Sequence, residues 1–344
     1  MKSKQFRDIF VTAFNDPAAW RDWFFSEVAA DDMIYVKTFE GRASAALLMQ
    51  PYDFLFHGDT LRSGYISCVA TRPEMRSRGL ASSLIIDALR DARAKGYALC
   101  ELIPQADHLY NFYTRQAFAT VFYADRLHYT ALHTFPRSGG DTVAPSFGLF
   151  HALEVRRGCG VVHSETDYGN ILRDMAIDGN THILAATHGD SGAMLFATES
   201  SDAVTVKCLL ADSEALADRV LADLRDIVGQ KPMAVVTPPL SGSPALLRPN
   251  GMGRIVNPRA VLGSLAATYP TLKLTVRYVD RELPENDGVY TVGDGKCVHG
   301  ELRKGHFDLD IDPTVLTSIL FSSHRAGSIF NIPTERPFMA LMLD

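Results

Sequence analysis

The segment Ile66-Ser67-Cys68-Val69-Ala70-Thr71-Arg72-Pro73-Glu74-Met75-Arg76-Ser77-Arg78-Gly79-Leu80-Ala81 has the residue types of an anion site. A strand-like run ends, a proline-containing turn follows, and an Arg/Gly loop opens a helical pattern. The first N–H groups of a helix lack intrahelical partners and carry the positive end of its dipole, so they bind phosphate readily. Gly79 and Ala81 let the backbone approach a bulky diphosphate, and Arg76 and Arg78 add charge at the mouth. Coenzyme A carries such a diphosphate. Its peptide-like pantetheine arm can pair with strand backbone at Val69, Ala70 and Thr71. The candidate binding residues are therefore these three with Arg76, Ser77, Arg78, Gly79, Leu80, Ala81 and Ser82. A plain Arg-rich surface turn ahead of an ordinary helix is the competing reading.

The elements around this loop follow from periodicity. Phe6–Phe14 and Trp20–Ala29 are helix-like, separated by the break Asn15-Asp16-Pro17. Met33–Phe39 and Ala43–Met49 read as a hairpin through Glu40-Gly41, and Tyr65–Thr71 as a further strand. Leu80, Leu84, Ala88 and Ala92 form one stripe of a helix over Leu80–Lys95, with Ala81, Ile85 and Leu89 beside it. Strand Ala98–Ile103, short helix His108–Arg115 and strand region Ala119–His128 follow. Phe135–Pro145 reads as a linker. Ala203–Leu210, Ser213–Val228 and Ala234–Thr237 repeat the strand–helix–strand order without glycine or arginine at the strand-to-helix turn. Pro238–Gly253 reads as a second break. Helix Pro258–Tyr269, strands Leu272–Tyr278 and Gly288–Val292, a strand pair around Cys297–Leu309 and helix Pro313–Phe321 complete a third α+β region. The fold class is α+β with mixed sheets, and the expected domains are 1–135, 145–240 and 250–344.

Composition narrows the function classes. The 344 residues are 47% hydrophobic and 22% charged with a net charge of −6, which suits folded domains and argues against a nucleic-acid footprint. No run approaches the ~18 apolar residues of a membrane span. The five cysteines are scattered without a CxxC pair, and the histidines show no HxH or HExxH spacing, so no metal is expected and a reducing cytoplasm is.

Arg76-Ser77-Arg78-Gly79-Leu80-Ala81 fits the Arg/Gln-x-x-Gly-x-Gly/Ala pattern of the GNAT acetyltransferases, and Phe112-Tyr113-Thr114-Arg115-Gln116-Ala117-Phe118 resembles that family's Phe/Leu-Tyr-x-Lys/Arg-x-Gly-Phe. Two positions depart from the pattern. Ala117 stands where glycine is usual, and Ala106 where many members carry a cofactor-contacting asparagine. The resemblance implies acetyl-CoA as co-substrate and a small-molecule or peptide amine as acceptor. It places the hydroxyl of Tyr113 near the CoA sulfur as the acid, with the N–H of Val69 or Ala70 facing the oxyanion. No Asp or Glu lies within Tyr65–Thr71, where many members carry the base; Glu27, Asp31, Asp32 and Glu101 are alternatives that read more simply as solvated charges.

The three-domain order is similar to the Eis-like (enhanced intracellular survival) branch, whose last domain resembles a sterol-carrier fold. Met252–Asn257 followed by helix Pro258–Tyr269 resembles that domain's start. In that branch the terminal carboxylate relays a proton at the active site, which implies Asp344 as the base, and the branch implies a symmetric homo-oligomer. Aminoglycosides, polyamines and lysine side chains are the acceptors in view. The competing class is a catalytically weak acyl-CoA-binding or apolar-ligand-binding module. Trp20, Trp23, Phe24 and Phe25 read either as acceptor-pocket lining or as core.

Overall fold

The computed structural model describes residues 2–239, 247–321, 329–330, 332–333 and 335–343. The chain forms two compact units, one drawing on 1–122 and 251–335, the other on 123–250 and 336–343. Its α+β class, with mixed sheets, is the one the periodicity predicts.

The first unit opens with α1 (Lys2–Phe10) and α2 (Ala18–Trp23), the latter running into a π-turn at Phe24–Val28. Trp20 stacks on Phe24 at 4.5 Å with Phe10 about equally far from both, and Trp20, Trp23 and Phe24 are buried core while Phe25 is half-buried. Then come β1 (Ile34–Phe39), β2 (Arg42–Phe56), β3 (Asp59–Thr71), α3 (Leu80–Ala94), β4 (Leu99–Leu102), α4 (Asp107–Thr114) and β5 (Ala119–Tyr129), which carries the chain out of this unit. The β2–β3 hairpin is longer than the sequence predicts. Pro51 hides it, because proline usually marks a strand end or edge. The turn is His57-Gly58, both with positive φ of 49° and 81°, as a two-residue hairpin turn of matching twist requires. Leu80, Leu84, Ile85, Ala88, Leu89 and Ala92 of α3 are all buried, on the sheet face formed by Ala45, Leu47, Met49, Ile66, Cys100 and Leu102. Burying each large aliphatic side chain stabilises by about 1.5–3 kcal/mol.

The second unit continues with β6 (Asp141–Val143), α5 (Phe147–Arg156), β7 (Gly160–Val162), α6 (Glu165–Asp178), β8 (Thr181–His188), β9 (Ser191–Glu199), β10 (Val204–Ala211), α7 (Glu214–Val228) and β11 (Met233–Thr237). Its sheet holds β10 and β11 parallel through Val204↔Met233 to Val206↔Val235, and the helix joining them, α7, is capped by Ser213 accepting from Leu216 N at 3.3 Å. The apolar segment 336–343 packs here, with Phe338 buried and its carbonyl accepting from Val161 N at 3.2 Å.

The chain returns to the first unit along β12 (Leu247–Ile255), a strand where Pro249, Gly251 and Gly253 predict a break. Its pairing with β4 from Met252↔Leu102 to Ile255↔Leu99 overrides the weak local propensity. Then α8 (Pro258–Thr268), β13 (Leu274–Tyr278), β14 (Gly288–Gly293), β15 (Lys296–Gly300), β16 (Leu309–Ile311) and α9 (Pro313–Phe321) form a four-stranded sheet of order β15-β14-β13-β16 with two helices.

Arg254 in β12 is fully buried, and its guanidinium reaches both the carbonyl of Gln116 and, at 2.6 Å, Asp280. Asp280 is itself buried and accepts from Glu282 N and Leu283 N, each at 3.1 Å. Removing one partner strands the other charge without solvent. Arg254→Met or Asp280→Asn should therefore cost about 3–5 kcal/mol, read as a lower denaturation midpoint in urea; the Arg254→Met/Asp280→Leu double variant should recover part of that loss.

Candidate active site

The two strands that frame the Arg/Gly loop pair only briefly. β3 and β4 run parallel through Ser63↔Leu99, Gly64↔Cys100 and Tyr65↔Glu101. Beyond Tyr65, β3 continues to Thr71 along β2, whereas β4 ends at Leu102. The β2–β3 ladder is also interrupted. Ala46 pairs with Ala70 and Leu48 with Ser67, so Cys68 and Val69 share one position opposite Leu47. Cys68 has φ +52°, and such a bulge turns backbone groups out of the ladder. The edge of β3 on which β4 no longer pairs thus carries Val69, Ala70 and Thr71, the residues assigned to a peptide-like arm.

The loop follows directly. Pro73–Met75 form one 3₁₀ turn, Ser77 adopts φ +60°, and Gly79 precedes α3 with φ +72°. A Cβ placed on Gly79 meets no protein atom within 4 Å, so the space over the helix start is open, while the left-handed φ disfavours any other residue. Among the described residues no side chain caps α3. In contrast, α5, α6, α7 and α8 are each capped by their own Ser or Asn. The first N–H groups of α3, at Leu80, Ala81 and Ser82, are the ones left to a ligand. Arg76 and Arg78 are both exposed, Arg76 donating to the Thr71 carbonyl at 3.3 Å and Arg78 lying 5.2 Å over the Phe39 ring. These contacts fix the stems and leave donor capacity for an anion.

The second signature is tied to the first. Gln116 donates through Nε2 to Ser82 Oγ at 3.1 Å, joining the end of α4 to the first turn of α3. Tyr113 is buried, with its ring edge-on to Phe112 and Phe118 at 5.0 and 6.0 Å. Burial pushes its phenol up to about 12, so it stays protonated through the neutral range and can act as a donor. Ala117 holds φ +60°, the left-handed conformation for which glycine is usual. Ala106 is the N-cap of α4 and offers no side-chain acceptor there.

Among the carboxylates considered as base, Glu27, Asp31 and Asp32 are exposed, and Asp31 accepts from Ser3 N at 2.9 Å. Glu101 departs from the expectation of a solvated charge: it is fully buried, accepts from Ser63 Oγ at 2.7 Å, and burial pushes it up to about 8. Its surroundings, an isolated Glu between Cys100 and Leu102 in an apolar strand, were the available signal. Asp344 lies outside the described residues. The buried Arg254 was likewise legible only as a lone charge in an apolar run.

Residues 2–120 match the acetyltransferase (GNAT) domain family, a span that contains both signatures. Eis1 from Mycobacterium abscessus superposes with a TM-score of 0.71 at 15% identity, over 98% of this chain and 96% of that one. A conserved protein of unknown function from Enterococcus faecalis V583 gives 0.75 at 17%, over 95% and 89%. A GCN5-related N-acetyltransferase from Kribbella flavida gives 0.71 at 16%, over 92% and 85%. At these identities the likeness is one of fold. No curated protein sequence matches.

Two outcomes follow from the geometry. Arg78→Glu with Gly79→Asp should abolish acetyl-CoA binding in calorimetry while leaving the unfolding transition intact; undiminished binding would remove the loop from the site. Separately, Glu101 has a raised pKa when folded, so between about 4.3 and 8 the folded chain keeps a proton that the unfolded chain has lost. Its contribution is favourable at low pH and is lost as pH rises through that window. Glu101→Gln should therefore gain stability over the parent from pH 5 to 8, on the order of 4 kcal/mol at most, in parallel urea titrations.

Proposed function

We propose that this chain is an acetyl-CoA-dependent N-acetyltransferase that moves an acetyl group to a primary amine. The observation that carries the reading is the parting of β3 and β4 beside an uncapped, arginine-flanked helix start, with a buried protonated tyrosine on the adjoining α4. Arg76, Ser77, Arg78 and Gly79 with the N–H groups of Leu80, Ala81 and Ser82 would hold the diphosphate. The free edge at Val69, Ala70 and Thr71 would pair with the pantetheine amides. Acetyl-CoA supplies the activated thioester carbonyl.

The chain's own groups then have defined roles. The bulge N–H of Val69 or Ala70 stabilises the oxyanion that develops when the amine nitrogen adds to the carbonyl carbon, a contribution of about 2.7–4 kcal/mol per donor in acyl-transfer enzymes. Tyr113 Oη gives its proton to the departing sulfur as the C–S bond breaks. Aminoglycosides, polyamines and lysine side chains remain the acceptor classes. The sterol-carrier-like reading of 250–344, the homo-oligomer and the cytoplasmic setting belong to the same proposal and rest on the Eis-like resemblance. The shortfall at Ala106 favours a second reading, an acyl-CoA-binding module with weak turnover.

Thiol release from acetyl-CoA in the presence of kanamycin, spermidine and a lysine peptide separates the two. Turnover with at least one amine is expected. Tyr113→Phe should then lower kcat by about 10²–10⁴ with the Kd for acetyl-CoA unchanged. Acetyl-CoA binding without thiol release for any amine would support the binding module instead.

A further inference from the structure

The face of the first unit's sheet opposite α3 carries an unusual set of side chains. A Cβ on Gly64 would touch Met49 and Tyr97, both in the cluster under α3, and Ile66, Cys100 and Leu102 share that cluster. Side chains alternate across a strand. Gln50, Ser63, Tyr65, Ser67 and Glu101 therefore point to the other face, and all five are buried. The register aligns them: Gln50 pairs with Tyr65, and Tyr65 with Glu101. Ser67 is the next residue on that face of β3, just past the last β3–β4 pair. The missing carboxylate of Tyr65–Thr71 is thus supplied from the neighbouring strand, directly beside Tyr65.

Three atoms of this patch, Gln50 Oε1, Ser67 Oγ and Glu101 Oε2, have no hydrogen-bond partner among the described residues. Buried polar atoms in native proteins are almost always paired, so a cluster of three calls for a ligand. Each of the three can accept a hydrogen bond. A primary ammonium brings three donors and no acceptor. The charged and titratable groups nearby do not compete for this role. Tyr65 and Tyr52 are phenols with rings edge-on at 6.3 Å, Cys100 and Arg254 belong to the reverse face, and Arg254 is engaged with Asp280. Besides α3, the helices packed on β3 are α1 and α8, and neither buries a charged side chain among the described residues.

We infer that Glu101, Gln50 and Ser67 receive the acceptor's primary ammonium, and that Glu101 is the base that deprotonates it. This rests on the acetyltransfer reading above. An N–H bond of the ammonium breaks, its proton passes to Glu101 Oε2, and the nitrogen lone pair becomes free to attack the thioester carbon. As the adduct collapses the C–S bond breaks and Tyr113 protonates the departing thiolate; the second proton leaves the nitrogen and restores the Tyr113 phenol, and Glu101 returns the first proton to solvent. The position suits a base. Tyr65 and Glu101 are the last paired residues before the strands part, so the row opens onto the gap assigned to the pantetheine arm. A base with its pKa pushed up to about 8 works where a protonated amine must be neutralised near physiological pH.

The test is a pH series on the full chain with acetyl-CoA and each of kanamycin, spermidine and a lysine peptide. For the parent, kcat/KM should rise to a plateau above about pH 8. Glu101→Gln should lower kcat at least about 100-fold and erase that limb while acetyl-CoA binding is kept. Gln50→Leu and Ser67→Ala should raise KM for the amine several-fold and leave KM for acetyl-CoA unchanged. A limb that persists in Glu101→Gln, or that vanishes only when Asp344 is removed, overturns the assignment. Should no amine be turned over, the acetyltransfer reading falls on its own. Calorimetry of the same amines on the CoA-saturated chain then decides the site: binding weakened tenfold or more by Glu101→Gln supports it, and equal binding or none overturns it.

Discussion

Two parallel strands that pair for three residues and then part are the constraint on which this site depends. A parallel ladder that continued would consume the N–H and C=O groups of β3 beyond Tyr65 that face away from β2. Its early end leaves them for a ligand. The bulge at Cys68–Val69 adds to the effect by taking two residues out of register on the β2 side. The start of α3 follows β3 through the Arg/Gly loop and is joined to the end of α4 by Gln116 and Ser82. The second unit shows what the scaffold does without these additions. There β10 and β11 also pair in parallel for three residues, and β10 also carries an irregularity just beyond. Yet Ser213 closes the start of α7, and the turn holds no glycine or arginine.

Arg254 lies on β12, which pairs with the other edge of β4, and its guanidinium holds both Asp280 and the Gln116 carbonyl in the loop that ends α4. Gln116 then grips Ser82 at the head of α3. A strand from far along the sequence, β12, therefore sets the position of the tyrosine proposed to protonate the thiolate. Ala117 sits inside this connection with a left-handed φ, a local strain that the surrounding contacts sustain.

Much of this was legible in sequence. The stripe Leu80-Leu84-Ala88-Ala92, the loop Arg76–Ala81 and the motif around Tyr113 are local patterns, and their elements lie where periodicity puts them. The β2–β3 hairpin was obscured by Pro51 and by a His57-Gly58 turn without the usual Asn-Gly signal. β12 was obscured by Pro249 and two glycines, because its stability comes from pairing with β4, a strand far earlier in the chain, as in Met252↔Leu102. Glu101 could be noticed but not weighed, since its burial depends on strands distant in sequence.

The most direct test of the central claim is a crystal structure of the chain with bound CoA. The account predicts the diphosphate at the backbone N–H groups of Arg78–Ser82, pantetheine amides paired with β3 between Val69 and Thr71, and the sulfur within hydrogen-bond reach of Tyr113 Oη. CoA bound elsewhere, or an arm that does not enter the gap between β3 and β4, would contradict it.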